Sequence, residues 1–213
     1  MKFLTEKEYS PLQKIAFIIL VIIFHSSVWA FVNNFNSHRS QNDLYNLTIF
    51  CDWLIPYLGW SWFIYYFGHI YIVVGSSFAI WNFKRSDFQK IIFLFCLMIV
   101  VGGIIQLLIP AKSPLPQQMG YIHAWIHYNI SHDPYVCFPS MHVSLAALPT
   151  FLLLYGYKSS FMIIILIVNL FVIFISTVTL KEHFFIDAVA GLLLAYFFFL
   201  LFRLKIFLNK NRK

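Results

Sequence analysis

Charge is what this chain has least of. Asp, Glu, Lys and Arg together make up 11% of its 213 residues, where a soluble domain carries roughly a quarter. Acidic residues are the scarcer sign, 8 against 15 Lys and Arg. Such a deficit excludes an ordinary soluble globule, whose surface needs more charge than this to stay in water. Cysteine is sparse as well. Cys51, Cys96 and Cys137 form no Cys-x-x-Cys pair, which removes zinc-ribbon and dithiol redox readings. A Cys51–Cys137 bridge is conceivable if both lie on one side of a membrane, but buried free thiols are the plainer expectation. No unit of 20–50 residues repeats, so a solenoid is excluded. The net charge is +7, yet no aromatic-and-basic face suited to single strands is present. The basic residues sit in short loops and at the termini, so nucleic acid is not an expected partner.

What is abundant is apolar surface. Hydrophobic residues make up 61% of the chain and the mean hydropathy is +0.77. A helix crosses the hydrocarbon core with about 20 apolar residues. Candidate spans run over 15–32, 62–81, 91–109, 140–155, 161–178 and 184–207. The first continues through Trp29, Phe31 and Val32, which favours an uncleaved helix over a signal peptide. The apolar stretch 47–60 is too short for a span and is interrupted by Asp52 and Pro56, so it reads as re-entrant or interfacial. The stretch 117–129, with Trp125 and Tyr128, reads as a second interfacial piece, because such aromatics favour the headgroup level. The expected fold is all-α: a single membrane domain over 1–213, a polytopic bundle of six transmembrane helices with short interfacial or re-entrant segments.

Six spans put both termini on one side, and the positive-inside rule chooses it. Lys2, Lys7, Lys14, Lys84, Arg85, Lys90, Lys158, Arg203, Lys205, Lys210, Arg212 and Lys213 fall in one set of segments. Arg39, Lys112 and Lys181 fall in the other. Twelve against three makes the termini cytoplasmic. The loop 111–139 and the turn 181–183 then lie on the non-cytoplasmic face of an integral membrane protein, expected in the cell (inner) membrane.

Three polar stretches converge on that outer face. In Phe138-Pro139-Ser140-Met141-His142, Ser140 reads as a helix N-cap. Helix N-termini attract anions, and His142 falls in the first turn beside such an anion; the plain alternative is a capped span with an interfacial histidine. In the second stretch, 176–187, His183 and Asp187 are four apart and share one helix face. A carboxylate beside an imidazole holds its tautomer and stabilises the imidazolium, and an aspartate one turn into so apolar a span is costly without a partner. The alternative is a capping aspartate paired for packing. The third stretch is Pro110-Ala111-Lys112-Ser113-Pro114. Lys112 lies where basic residues are disfavoured, so it either binds phosphate or snorkels to headgroups; Lys181 carries the same ambiguity.

Together these residues resemble the type 2 phosphatidic acid phosphatase superfamily, over roughly 47–201. Pro139 to His142 match its Pro-Ser-x-His motif. Ser176, His183 and Asp187 match the motif Ser-Arg, five residues, His, three residues, Asp. Two departures stand out. Thr177 occupies the arginine position, and the family's first motif, a lysine followed six residues later by Arg-Pro, is absent, leaving Lys112 as its one stand-in. Arginine clamps phosphate bidentately, which lysine and threonine do poorly. Asp52-x-x-Ile55-Pro56, Phe138 to His142 and His183-Phe184-Phe185-Ile186-Asp187 are similar to stretches of the inositol phosphorylceramide synthase-like branch, which transfers phosphorylated head groups between lipids.

The resemblance implies a lipid phosphatase or phosphotransferase working through a phosphohistidine. His183 is the nucleophile, Asp187 its orienting carboxylate, and His142 the general acid and base. Ser140, Ser176, Lys112 and Lys181 are the candidates for holding phosphate. The expected partners are a lipid phosphate in the bilayer and, for transfer, an acceptor lipid or alcohol. Plain hydrolysis of a phosphatidate, prenyl pyrophosphate or lipid A type substrate is the alternative. No cofactor or metal is expected; His123 and His127 are four apart, a conceivable zinc pair, but interfacial side chains are the simpler reading. A transporter would show inverted repeats and broken helices meeting at mid-membrane, and neither is evident. Vanadate-dependent haloperoxidases share the triad but look soluble.

Overall fold

A computed structural model of the chain describes residues 9–81, 83–116, 118–127, 135–156 and 159–210. Eight α-helices appear among them: α1 Pro11–Ser37, α2 Phe50–Leu54, α3 Trp62–Trp81, α4 Arg85–Leu108, α5 Tyr121–Ile126, α6 Met141–Gly156, α7 Ser160–Thr179 and α8 Phe185–Lys210. The described residues contain no strand, only one isolated bridge between Tyr45 and Ala111. Of the basic residues used to argue topology, Lys2, Lys7, Lys158, Arg212 and Lys213 lie outside the described residues, as do Gln117 and Tyr128.

Local sequence explains the helix ends. Ser10 Oγ accepts from Gln13 N–H while Gln13 Oε1 accepts from Ser10 N–H, and Pro11 opens α1. This reciprocal cap starts α1 earlier than the apolar run alone suggests. α4 likewise begins at Arg85 rather than 91, because Asp87 and Lys90 pair across its first turns at 3.0 Å. Charged residues can occupy the solvated end of a spanning helix without interrupting it.

Among the described residues, four helices are long and apolar enough to cross a membrane: Pro11–Ser37, Arg85–Leu108, Ser160–Thr179 and Phe185–Leu204. α6 is apolar but has 16 residues. α7 exposes Phe161, Ile164, Val168 and Phe171, a stripe at helical spacing that water would not tolerate and lipid would. α6 is the most enclosed helix, packed against α3, α7 and α8. The main core joins Phe88, Phe95 and Met98 of α4 to Leu148 and Leu152 of α6 and Phe198 and Phe202 of α8.

The start of α6 is fixed by a close approach. A Cβ on Gly191 would stand 2.3 Å from Ser140 O, so only glycine lets α8 lie this near. The contact is closed by Ser144 Oγ, which bonds both Ser140 O at 2.9 Å and Gly191 O at 3.0 Å. Ser140 N–H donates to Asp187 O at 3.0 Å. From the other side, Asn36 of α1 donates to Tyr135 O at 2.9 Å, and Gln106 of α4 donates to Val136 O at 2.9 Å and Pro139 O at 3.2 Å. Two buried amides thus hold the segment leading into α6 by its backbone.

Candidate active site

These constraints bring the ends of α6, α7 and α8 together. His142 Nδ1 lies 3.2 Å from His183 Nε2. His183 Nδ1 lies 3.1 Å from Cys137 O. A carbonyl oxygen only accepts, so Nδ1 carries a proton and, in a neutral His183 ring, Nε2 is the accepting nitrogen. His142 Nδ1–H is then the donor across the histidine pair.

Asp187 is fully buried, and its Oδ2 lies 3.6 Å from His183 Nδ1. That is an electrostatic contact rather than a hydrogen bond. The orienting hydrogen bond expected from the carboxylate comes instead from the Cys137 carbonyl. The reason is local: Asp187 Oδ2 accepts from Phe184 N–H at 2.9 Å, which caps the start of α8. Asp187 Oδ1 is buried without a hydrogen-bond partner among the described residues. Such an oxygen favours a neighbouring positive charge.

The other expected site residues are distributed differently. Ser140 is buried, and its Oγ accepts from Val143 N–H at 3.4 Å, a weak cap of α6. Ser176 Oγ and Thr177 Oγ1 donate back to the carbonyls of Ile173 and Phe174 at 2.9 and 2.7 Å, so both hydroxyls are committed within α7. Lys181, in the left-handed region at φ 62, puts its ammonium on Asp52 O at 2.8 Å and Ile55 O at 2.7 Å. Partial burial lowers its pKa from the ordinary value, with Asp52 pulling the other way. Lys112 Nζ lies 5.5 Å from the centre of the Tyr135 ring.

Several participants were given no role at the site by sequence reasoning. Tyr65 OH stands 3.1 and 3.2 Å from the two nitrogens of His142. Asp52 Oδ1 accepts from Phe185 N–H at 2.7 Å, and its Oδ2 accepts from Ile49 N–H at 2.9 Å, tying α2 to the start of α8. Glu182 is buried beside His123, whose Nε2 lies 3.0 Å from Glu182 Oε1, and His127, whose Nδ1 lies 3.5 Å from it. This corrects the reading of His123 and His127 as interfacial side chains. Both are buried, while Tyr121, Ile122 and Trp125 form the exposed side of α5. Burial raises the Glu182 pKa, but the His123 hydrogen bond and the charges of the two histidines outweigh it and hold the carboxyl at about 2. A polar residue before the third motif's histidine was the available signal for Glu182, and a tyrosine pair in an apolar span the signal for Tyr65.

The cysteines are free, so no Cys51–Cys137 bridge forms. Cys137, His183 and Asp187 offer ligand atoms within 4.8 Å of one another. A metal there would need the thiolate. Burial and then the Asp187 charge push the Cys137 thiol well above its usual range, and its Sγ donates to Glu182 O at 3.4 Å.

A paired histidine site with a buried carboxylate, at the mouth of an apolar bundle, suits nucleophilic attack on an ester of phosphorus. A comparison with individually curated proteins gave no match. The family profile described as the PAP2 superfamily matches residues 52–201, which include every residue of the histidine pair and its supports. The chain therefore belongs to the PAP2 superfamily, a membership that points to a phosphatase or phosphotransferase.

Proposed function

We propose that this protein is a membrane enzyme that cleaves a lipid phosphoester or pyrophosphate through a phosphohistidine on His183. The observation that carries the reading is the histidine pair: Nε2 of His183 is the unprotonated nitrogen, and it faces His142 at 3.2 Å. In the first step His142 acts as an imidazolium: as Nε2 leaves its hydrogen bond with His142 and forms a bond to phosphorus, the bond to the leaving oxygen breaks and His142 gives that oxygen a proton, becoming neutral. Asp187, 3.6 Å from Nδ1, steadies the positive charge on the ring. In the second step His142 removes a proton from water or an acceptor alcohol. The new oxygen–phosphorus bond forms as the nitrogen–phosphorus bond breaks.

Non-bridging oxygens need donors as their charge grows. Backbone N–H groups at the start of α6, with Ser140, supply part of this. Lys112 is the preferred cation, because the Lys181 ammonium is already held by two carbonyls. An inositol phosphorylceramide synthase-like transfer is the finer version of the reading, supported by Thr177 in place of arginine and by Asp52 bonded to the start of α8. We further propose that α3 and α6 span alongside the other four long helices, with both termini cytoplasmic and the histidine pair on the outer side of the cell membrane. The basic-residue asymmetry supports that orientation.

The test is direct. Phosphatidic acid labelled at phosphorus, mixed with the purified protein and quenched in alkali, should leave label on His183, and the rate should be indifferent to chelators. Label on His142 that survives in His183→Ala would reverse the roles of the two histidines.

A further inference from the structure

We propose that Glu182 is a positioning residue for the nucleophile, locked in place by His123 and His127; this rests on the reading of His183 as the nucleophile. Glu182 is 3% exposed and immediately precedes His183. A buried carboxylate demands compensation, and here it is supplied from one helix. His123 and His127 are four apart and so lie on one face of α5, with Nε2 and Nδ1 at 3.0 and 3.5 Å from the same Oε1. His123 is held in turn, since its Nδ1 lies 2.9 Å from Tyr57 OH, which accepts from Gly120 N–H at 3.1 Å.

The backbone of Glu182 takes part as well as its side chain. Its carbonyl accepts from Ser113 Oγ at 2.9 Å and from Cys137 Sγ at 3.4 Å. Cys137 then closes a ring, because its own carbonyl receives the Nδ1 proton of His183. The hydrogen bond that chooses the His183 tautomer therefore depends on how residues 137 and 182 sit relative to each other. Releasing the Glu182 carboxylate frees one corner of that ring. A mere anchor for α5 would have no such route to the imidazole.

The experiment uses the full chain in lipid nanodiscs with histidines labelled with ¹⁵N, the His183 signal being assigned from its loss in His183→Gln. The wild type should show one tautomer at His183, with the proton on Nδ1. Glu182→Gln should show a mixture, and with labelled dioctanoyl phosphatidic acid its phosphoenzyme should form about 10–100-fold more slowly at unchanged KM, the scale of a reactant misplaced by about 1 Å. His123→Gln should do the same, and the double variant should be no worse than either single one, because both act through one contact. If Glu182→Gln folds poorly, Tyr57→Phe, which removes the outer bonds to His123 and Gly120 and leaves the Glu182 contact in place, should show a smaller tautomer shift in the same direction. An unchanged His183 spectrum and rate in Glu182→Gln would overturn the proposal. So would a chelator that reproduces the variant spectrum in the wild type, since the cluster would then be a metal site. A shifted spectrum in a protein whose wild type never forms phosphohistidine would leave the positioning intact and remove the catalytic reading instead.

Discussion

The two ends of the bundle are built on opposite principles. At the end that holds the histidine pair, Ser113, His123, Ser140, Ser144, Glu182, His183 and Asp187 are all buried, and most are tied to backbone. At the other end, cations lean on aromatic rings: Lys14 on Trp81 at 5.4 Å, Arg85 on Tyr9 at 4.6 Å and Arg203 on Tyr155 at 5.6 Å. Beneath them lies the aromatic core of Phe88, Phe95, Phe198 and Phe202. Buried polar groups are costly unless satisfied but give fixed geometry; packed rings give stability without fixing any one atom. If the proposed function holds, the end with the histidine pair should be sensitive in rate and the opposite end in stability.

The largest expected effect lies at the end with the histidine pair. Asp187→Asn keeps the shape of the side chain but removes the negative charge 3.6 Å from His183. Loss of the supporting carboxylate in a related triad lowers kcat by about 10⁴, and a fall of several orders in phosphoenzyme turnover is expected here. Next comes Phe202→Ala at the opposite end, a fully buried ring whose loss should cost about 3–5 kcal/mol. Denaturation should reveal that loss, while kcat per folded molecule stays near wild type. If Phe202→Ala lowers kcat as severely as Asp187→Asn does, the division of labour between the ends is wrong.

That division was only half legible in the sequence. The spacing of His183 and Asp187 and the motif from Pro139 to His142 are local patterns, and the apolar runs gave the long helices to within a few residues. What joins the motifs is not local. Gly191 reads as one more small residue in an apolar run, yet it admits the Ser140 backbone. The Cys137 carbonyl carries no residue-type signal at all, although it receives the His183 proton. Lys181 looked like a free outer cation, but a left-handed turn brings it onto two carbonyls. His123 and His127 were visible as a pair, and their partner lies 59 residues from His123, beyond the reach of any helical periodicity.

A third, smaller effect concerns pH. The Glu182 carboxyl is held at about 2, against an ordinary value of 4.5. A depressed carboxyl contributes stability that is fully present above the unfolded value and is lost as pH falls through the folded one. The wild type should therefore lose stability between about pH 4.5 and about pH 2 through this group. Glu182→Gln has no carboxylate to protonate, so the difference in unfolding midpoint between the two proteins should shrink across that window. A difference that stays constant down to the acid limit would mean that the carboxylate is not what the histidines hold.

The smallest effect belongs to a charge pair at the opposite end, Lys90 with Asp87. Lys90 Nζ and Asp87 Oδ1 are 3.0 Å apart, closer than His183 and Asp187, but both side chains are about a quarter exposed. Water and salt screen such a pair, and holding two flexible side chains together offsets much of the gain. Asp87 also lies in the first turn of α4, where a negative charge is favoured by the helix dipole. Asp87→Asn should consequently cost no more than about 1 kcal/mol. That cost should shrink as salt is added, with kcat and KM unchanged. Unfolding midpoints at low and high salt, alongside phosphoenzyme kinetics, measure both halves of this expectation. A salt-independent loss, or any loss in kcat, would make this end a second buried electrostatic network, and burial would no longer be what separates the two.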